Sequence, residues 1–257
     1  MERDGTAGDR AVKTILPVDV LAFGAHPDDV ELGCGGTLVA QARRGYRFGI
    51  CDLTRGEAGT RGTPERRAAE AARAAEILGA SFRATLDLGD GNLRADRAAE
   101  LEVIAVVRAA RPRIVLAPWS SARHPDHARA SKLVTEATWY AGLRSLETGV
   151  PAHRPQQVVY YASSPTGAMS FLVDVTADFE TKLRAIEAYK SQFHDPDAEG
   201  PETYISTRGF REAIRARAQA LGQMANVAYA EAFIAHVPPR VDDPVTAFEG
   251  YEPGFPR

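Results

Sequence analysis

Short apolar runs recur along this chain at residues 18–24, 47–53, 83–88 and 114–118, each bounded by polar or turn-forming residues. They read as buried strands. Between them lie Ala- and Leu-rich stretches whose apolar positions fall on one helical face. The first is expected to open at Gly35-Gly36-Thr37 and to end at Gly45 as a C-cap residue. The second opens at Pro64 with Thr63 as N-cap and closes at Leu78 and Gly79. The third is marked by Leu101, Ile104, Ala105 and Arg108 and stops before Pro112. Residues 54–63 form a polar loop, and Asp90-Gly91-Asn92 has turn chemistry. Strand and helix alternating at this spacing predict an α/β fold, a Rossmann-like doubly wound and mostly parallel sheet with helices on both faces.

Further on, residues 126–146, 179–193 and 210–224 have helical spacing, and 158–161 and 171–175 read as strands. Residues 229–234 fit either type. The expected organisation is a loose tail at 1–17, a single domain at 18–237 and an extended tail at 238–257, where Pro, Asp and Gly accumulate. A length of 257 residues suits one large α/β domain. A net charge of -3 gives no footprint for nucleic acid or an anionic membrane. The first residues lack a signal-peptide apolar run, and no stretch reaches membrane-span length. Cys34 and Cys51 are the only cysteines. They imply no disulfide framework and fit a reducing cytoplasm.

The chemistry gathers just after two of the strands. Ala25-His26-Pro27-Asp28-Asp29-Val30-Glu31 follows the first, and Arg123-His124-Pro125-Asp126-His127 follows the fourth. In a doubly wound sheet the fourth strand returns beside the first, so both loops line one crevice. His26 and Asp29 are the natural first pair of metal ligands, with His127 the third. Zinc accepts such nitrogen and oxygen donors and keeps an open position for water. Asp28, beside a ligand but pointing away, is then the candidate general base, with a turn or helix-cap role as the alternative. His124 can donate to a developing oxyanion or to the leaving amine. Asp126 can hold the tautomer of His124, or else cap the next helix. His153, His194 and His236 stand apart and read as ordinary structural histidines. Two other readings compete. Glu31-Leu32-Gly33-Cys34-Gly35-Gly36 looks like the glycine-rich loop of an S-adenosylmethionine-binding transferase, but it does not directly follow a strand. Two His and one carboxylate also suit a non-haem iron centre. That centre does not call for the spare Asp or the Asp–His pair.

The paired motifs His26-Pro27-Asp28-Asp29-Val30-Glu31 and His124-Pro125-Asp126-His127 resemble those of the LmbE/PIG-L family of zinc-dependent N-deacetylases. The similarity runs from about Val20 to Ile234. Residues 21–26, 49–54, 188–193 and 229–231 bring it nearest to the bacillithiol-biosynthesis deacetylases, which act on N-acetylglucosaminyl malate. The resemblance implies a Zn2+ cofactor held by His26, Asp29 and His127, with Asp28 as base and His124 and Asp126 assisting. It implies substrate contacts at Arg67, Arg154 and Tyr229, a small-molecule GlcNAc conjugate as partner, and a homo-oligomer, with a hexamer as one form. An inositol conjugate of the mycothiol type or a chitin-derived sugar is the alternative substrate. Arg123 joins the substrate-binding candidates by position, because it precedes His124 at the mouth of the crevice.

Overall fold

The computed structural model describes residues 15–162, 169–193 and 201–249. Its centre is a seven-stranded sheet in the order β3-β2-β1-β4-β5-β7-β6. The strands are β1 Val20–Gly24, β2 Phe48–Asp52, β3 Phe82–Thr85, β4 Ile114–Pro118, β5 Gln157–Tyr161, β6 Phe171–Asp174 and β7 Ala230–Ala235. Strands β1 to β5 are parallel. Strand β7 runs antiparallel to both β5 and β6. Strands β1, β2 and most of β4 are buried on both faces, as their largely apolar sequences require, and the buried Asp52 that ends β2 is paired with Arg83.

The helices are α1 Asp29–Arg43, α2 Pro64–Leu78, α3 Arg97–Ala110, α4 Pro125–Ala141, α5 Phe179–Glu187, α6 Arg208–Met224 and α7 Pro244–Ala247. Helices α3 and α4 pack with Leu21, Phe23, Val115 and Ala117 on one face of the sheet. Helices α1, α2 and α5 pack with Ala22, Ile50, Leu116 and Val159 on the other. Thr63 accepts from Arg66 N–H to cap α2, and Asp96 accepts from Ala99 N–H to cap α3. Beyond α4, the buried guanidinium of Arg108 donates to the carbonyls of Ala141, Leu143, Leu146 and Val150. That ends α4 at Ala141, short of the expected 146.

Three expectations change. Helix α1 begins at Asp29 and not at Gly35, so the glycine run lies inside the helix. Residues 229–234 resolve as β7, which enters between β5 and β6. The helix expected over 179–193 stops at Glu187, and turns follow with Tyr189, Ser191, Gln192 and Phe193 buried. Of the first tail, 1–14 lies outside the described residues, while Ile15 packs into the core. Of the last, 250–257 lies outside the described residues, and α7 has no buried residue.

Candidate active site

Strands β1 and β4 lie side by side, so the loops after them meet at the C-terminal edge of the sheet. This is the switch point, where doubly wound folds keep their crevice. A cavity of about 570 Å³ opens there, and its lining includes His26, Asp28, Asp29, Asp90, His124 and His127.

Asp29 is the first residue of α1. Its Oδ2 accepts from His26 N–H at 2.9 Å, and its Oδ1 stands 3.0 Å from His127 Nε2. One donor atom from each of His26, Asp29 and His127 lies within 4.8 Å of the others, and His26, His124 and Asp126 form a second such group. His26 Nε2 is buried without a hydrogen bond. Asp90 Oδ1 is only 3.0 Å from it, which is ion-pair distance, but is out of line for one. Burial depresses the His26 pKa, yet Asp29 and Asp90 outweigh burial and push it up to about 11. His127 is raised in the same way, burial losing to Asp29. Asp29 is driven well below the usual carboxylate range by the two imidazoles despite its burial. The cluster therefore favours a positive charge at its centre, whether protons or a metal ion. An orphaned buried imidazole nitrogen and a His-Asp-His donor set fit a divalent metal of the zinc type.

Asp28 stands at the N-cap position of α1, but its side chain makes no capping bond. Its φ of 118° is in the left-handed region, costly for a residue with a Cβ. Burial raises its pKa, Arg67 opposes this, Asp29 adds to it, and the result is about 7. Arg67, expected as a substrate contact, lines the cavity but is committed within the protein. Its Nη2 donates to Pro27 O at 2.7 Å and lies 3.4 Å from Asp28 Oδ2, and its Nη1 donates to Gly56 O at 2.9 Å. Gly56 has φ +68°, and a Cβ there would sit 2.0 Å from Arg67 Nη1. Only glycine lets the loop wrap this guanidinium.

His124 lies at the rim, its ring edge-on to His26 at 4.7 Å between centroids. Burial and the charges of His26 and His127 lower its pKa. Asp126 does not hold this ring with its carboxylate, contrary to expectation. Its Oδ2 accepts from Gly91 N–H and its Oδ1 from Arg129, while its backbone N–H donates to His124 Nδ1 at 3.2 Å. The main chain thereby keeps Nδ1 an acceptor and leaves the ring proton on Nε2 as a donor.

The remaining candidates divide. Arg123 lines the cavity mouth. Arg154 does not reach it. It precedes β5, at the opposite end of the strands, and stacks 4.2 Å over exposed Trp139. Tyr229 packs flat on Phe179 at 4.0 Å and accepts from Arg215, away from the cavity lining. Asp90 was missed because Asp-Gly-Asn reads as a turn, and only the register of β3 beside β2 brings it to His26. Tyr204, Phe210 and Arg217 also line the cavity without any motif. Of the isolated histidines, His153 bonds the Pro112 carbonyl, and His194 lies outside the described residues.

Sheet order and a histidine–aspartate cluster at the switch point define an α/β protein with an enzyme-like site whose donors could hold a metal ion. A sequence model described as PIG-L, GlcNAc-PI de-N-acetylase, matches residues 21–138, which include both motifs. The diacetylchitobiose deacetylase of Thermococcus kodakarensis is 36% identical over 204 residues, covering 73% of this chain and 75% of that protein. The 4-oxalmesaconate hydratase of Pseudomonas putida is 28% identical, covering 68% and 74%. Among solved structures, the conserved protein TT1542 from Thermus thermophilus superposes with a TM-score of 0.80 at 38% identity, covering 87% of this chain and 97% of that one. The chain belongs to the PIG-L family. The transferase reading falls with the glycine run: Gly33 and Gly36 face the Tyr161 ring, Val175 and Glu231 within a helix and form no open loop.

Proposed function

We propose that this protein is a metal-dependent amidohydrolase that removes the acetyl group from a GlcNAc conjugate. One observation carries the reading. Asp28 is buried beside the His26–Asp29–His127 donors, does not cap its helix, and has its carboxyl pushed up to about 7. A carboxylate so placed suits proton transfer at neutral pH. Zinc held by His26, Asp29 and His127 would supply Lewis acidity toward the acetyl carbonyl and its attacking water. Asp28 takes a proton from that water as it adds to the carbonyl carbon. His124 Nε2–H donates to the oxygen on which charge develops. The C–N bond then breaks, and Asp28 returns its proton to the amine, so acetate and free amine form together. Arg67 keeps Asp28 in place throughout.

Among aglycones, the malate conjugate of bacillithiol synthesis is our first candidate, ahead of an inositol conjugate or a chitin-derived sugar. Arg123 at the mouth supports it. A reducing, cytoplasmic setting and a homo-oligomer belong to the same proposal. The buried, unpaired state of Cys34 and Cys51 supports that setting. The test is acetate release from GlcNAc-malate, GlcNAc-inositol and diacetylchitobiose side by side. Acetate and amine should appear in equal amounts, stop on chelation and resume with zinc. No release from any of them, with hydration of an unsaturated dicarboxylate instead, would move the chain toward its hydratase relative.

A further inference from the structure

The lining of the cavity divides by strand. The segments after β1 and β3 supply Asp28, Asp29 and Asp90, and the loop after β2 supplies residues 58–60. The ends of β4 and β5 supply Pro118, Trp119, Tyr161 and Ala162, none of which is charged. Leu32 joins them from α1. Sheet order puts β4 and β5 on the opposite side of β1 from β2 and β3. His26 and Asp29, which follow β1, therefore stand between a polar side and an apolar one.

The apolar side is continuous. Pro118 and Tyr161 are register partners across β4 and β5, and Trp119 N–H donates to the Tyr161 carbonyl at 3.0 Å. The Tyr161 ring lies against α1 at Gly33, the neighbour of Leu32, where only the missing Cβ leaves room for it. Its hydroxyl donates to the Phe23 carbonyl at 2.7 Å. The one polar atom of that side chain is thus satisfied within the protein, and the ring offers the cavity hydrocarbon alone. Burial and the nearby Asp29 charge hold its pKa well above the usual tyrosine value, so the ring stays neutral. Leu32 lies one helical turn beyond Asp28, whose carbonyl its N–H reaches at 3.0 Å. The apolar surface therefore begins beside the reacting centre. A planar amide cleaved there directs its acyl chain and its sugar away from each other. Sugar hydroxyls need hydrogen-bond partners, which the Asp90 side offers. An acyl chain needs none and gains by leaving water. A surface of five side chains on three elements is more than the methyl group of an acetyl can cover.

We propose that Leu32, Pro118, Trp119, Tyr161 and Ala162 form an acyl-chain subsite, and that the protein removes short straight-chain acyl groups longer than acetyl, propionyl and butyryl among them, from the amino group of its sugar. The inference rests on the reading that the site cleaves an amide. The bond changes are those of acetyl removal. The oxygen of water ends on the acyl carbon, the C–N electron pair leaves with the nitrogen, and the amine takes the proton, giving a longer carboxylate and the same free amine.

The test uses the zinc-loaded full chain. Calorimetry with acetate, propionate and butyrate, which carry the carboxylate of the product, reads the subsite without turnover. Affinity should rise about 4-fold for each added methylene. The heat capacity change of binding should grow more negative along the series, a readout that needs no variant. Amine release is then followed from N-acetyl-, N-propionyl- and N-butyrylglucosamine, and both longer amides should be cleaved with kcat/KM at or above that of the acetyl compound. Ala162→Leu fills the subsite and should lower the butyryl-to-acetyl ratio of kcat/KM by about 10-fold or more. Leu32→Ala should flatten the rise in affinity per methylene. The methyl and phenyl glycosides of N-acetylglucosamine ask whether the apolar surface holds the aglycone instead. Equal affinity for the three acids, refusal of the propionyl amide, or a preference that follows the phenyl group and not acyl length overturns the subsite. Cleavage of the acetyl compound alone would do so while keeping the deacetylase reading. Chain-length-dependent binding of the acids without cleavage of any amide would keep the subsite and refute that reading.

Discussion

Asp28 illustrates how one residue can be strained and committed at once. Its left-handed φ costs on the order of 1–3 kcal/mol for a non-glycine residue. Arg67 offsets this by donating to the carbonyl just before it and by facing its carboxylate. Asp28→Asn should keep fold and metal content but lower the rate of acetate release by about 100-fold or more, since the amide cannot accept the proton. Normal turnover with Asn would return Asp28 to a purely structural role. Arg67→Met should lower both melting temperature and kcat, because Pro27 O and Gly56 O lose a buried donor, each worth about 1–3 kcal/mol. A rise in KM alone would mean that Arg67 serves the substrate. The motif residues were visible in the sequence because His26, Asp28 and Asp29 lie within one turn of chain. Asp90 carried no such signal, since its part comes from strand register. Arg154 and Tyr229 were placed by resemblance, and the folded chain gives both to local stacking.

Among the elements, α1 departs most from its sequence. A run of Gly33, Gly35 and Gly36 is poor helix material, which is why the helix was expected only after it. The tertiary structure supplies the reason for the glycines. A Cβ on Gly33 would fall 2.1 Å from the Tyr161 ring, and one on Gly36 would fall 2.9 Å from Val175. The backbone N–H groups of Gly36 and Thr37 donate to the buried carboxylate of Glu231 on β7 at 3.0 and 2.7 Å. Lys182 of α5 donates to Glu231 and to Leu32 O. One buried ion pair thus ties α1, α5 and β7 together. Glu231→Ala should destabilise the fold by about 3–5 kcal/mol in denaturant unfolding, because it strands the Lys182 charge. Replacing Glu231 and Lys182 together by apolar residues should cost less than the two single changes summed. Strict additivity would show that the pair is not a unit.

At the scale of the whole molecule, the sheet order explains why two distant motifs act together. The order β3-β2-β1-β4 is the one expected once strand and helix alternation is taken as a doubly wound sheet, and it puts the loops after β1 and β4 side by side. Alternation did not foretell the antiparallel β7 between β5 and β6, because residues 230–235 are too short to separate strand from helix by period. A metal held by His26 and Asp29 from one loop and His127 from the other would link segments far apart in the chain. Binding to the folded state alone adds stability by mass action, about 2.7 kcal/mol when free metal is 100-fold above Kd. The sign of its pH dependence follows from the two imidazoles. The pKa values of His26 and His127 are raised, burial being outweighed for both by Asp29 and for His26 also by Asp90. Without metal, their ion pairs stabilise the fold fully below the ordinary histidine pKa of about 6.5. That stabilisation fades as pH rises through the raised values. With metal, the protons must leave before the nitrogens can coordinate, so affinity increases with pH. The melting temperature should therefore rise on adding zinc and fall on chelation, and the gap should widen from about pH 6 to about pH 8. Asp29→Ala and His127→Ala should abolish the gap, whereas Asp28→Asn should preserve it. A gap that is constant across this range, or that survives loss of Asp29, would remove these residues from the metal's ligand set.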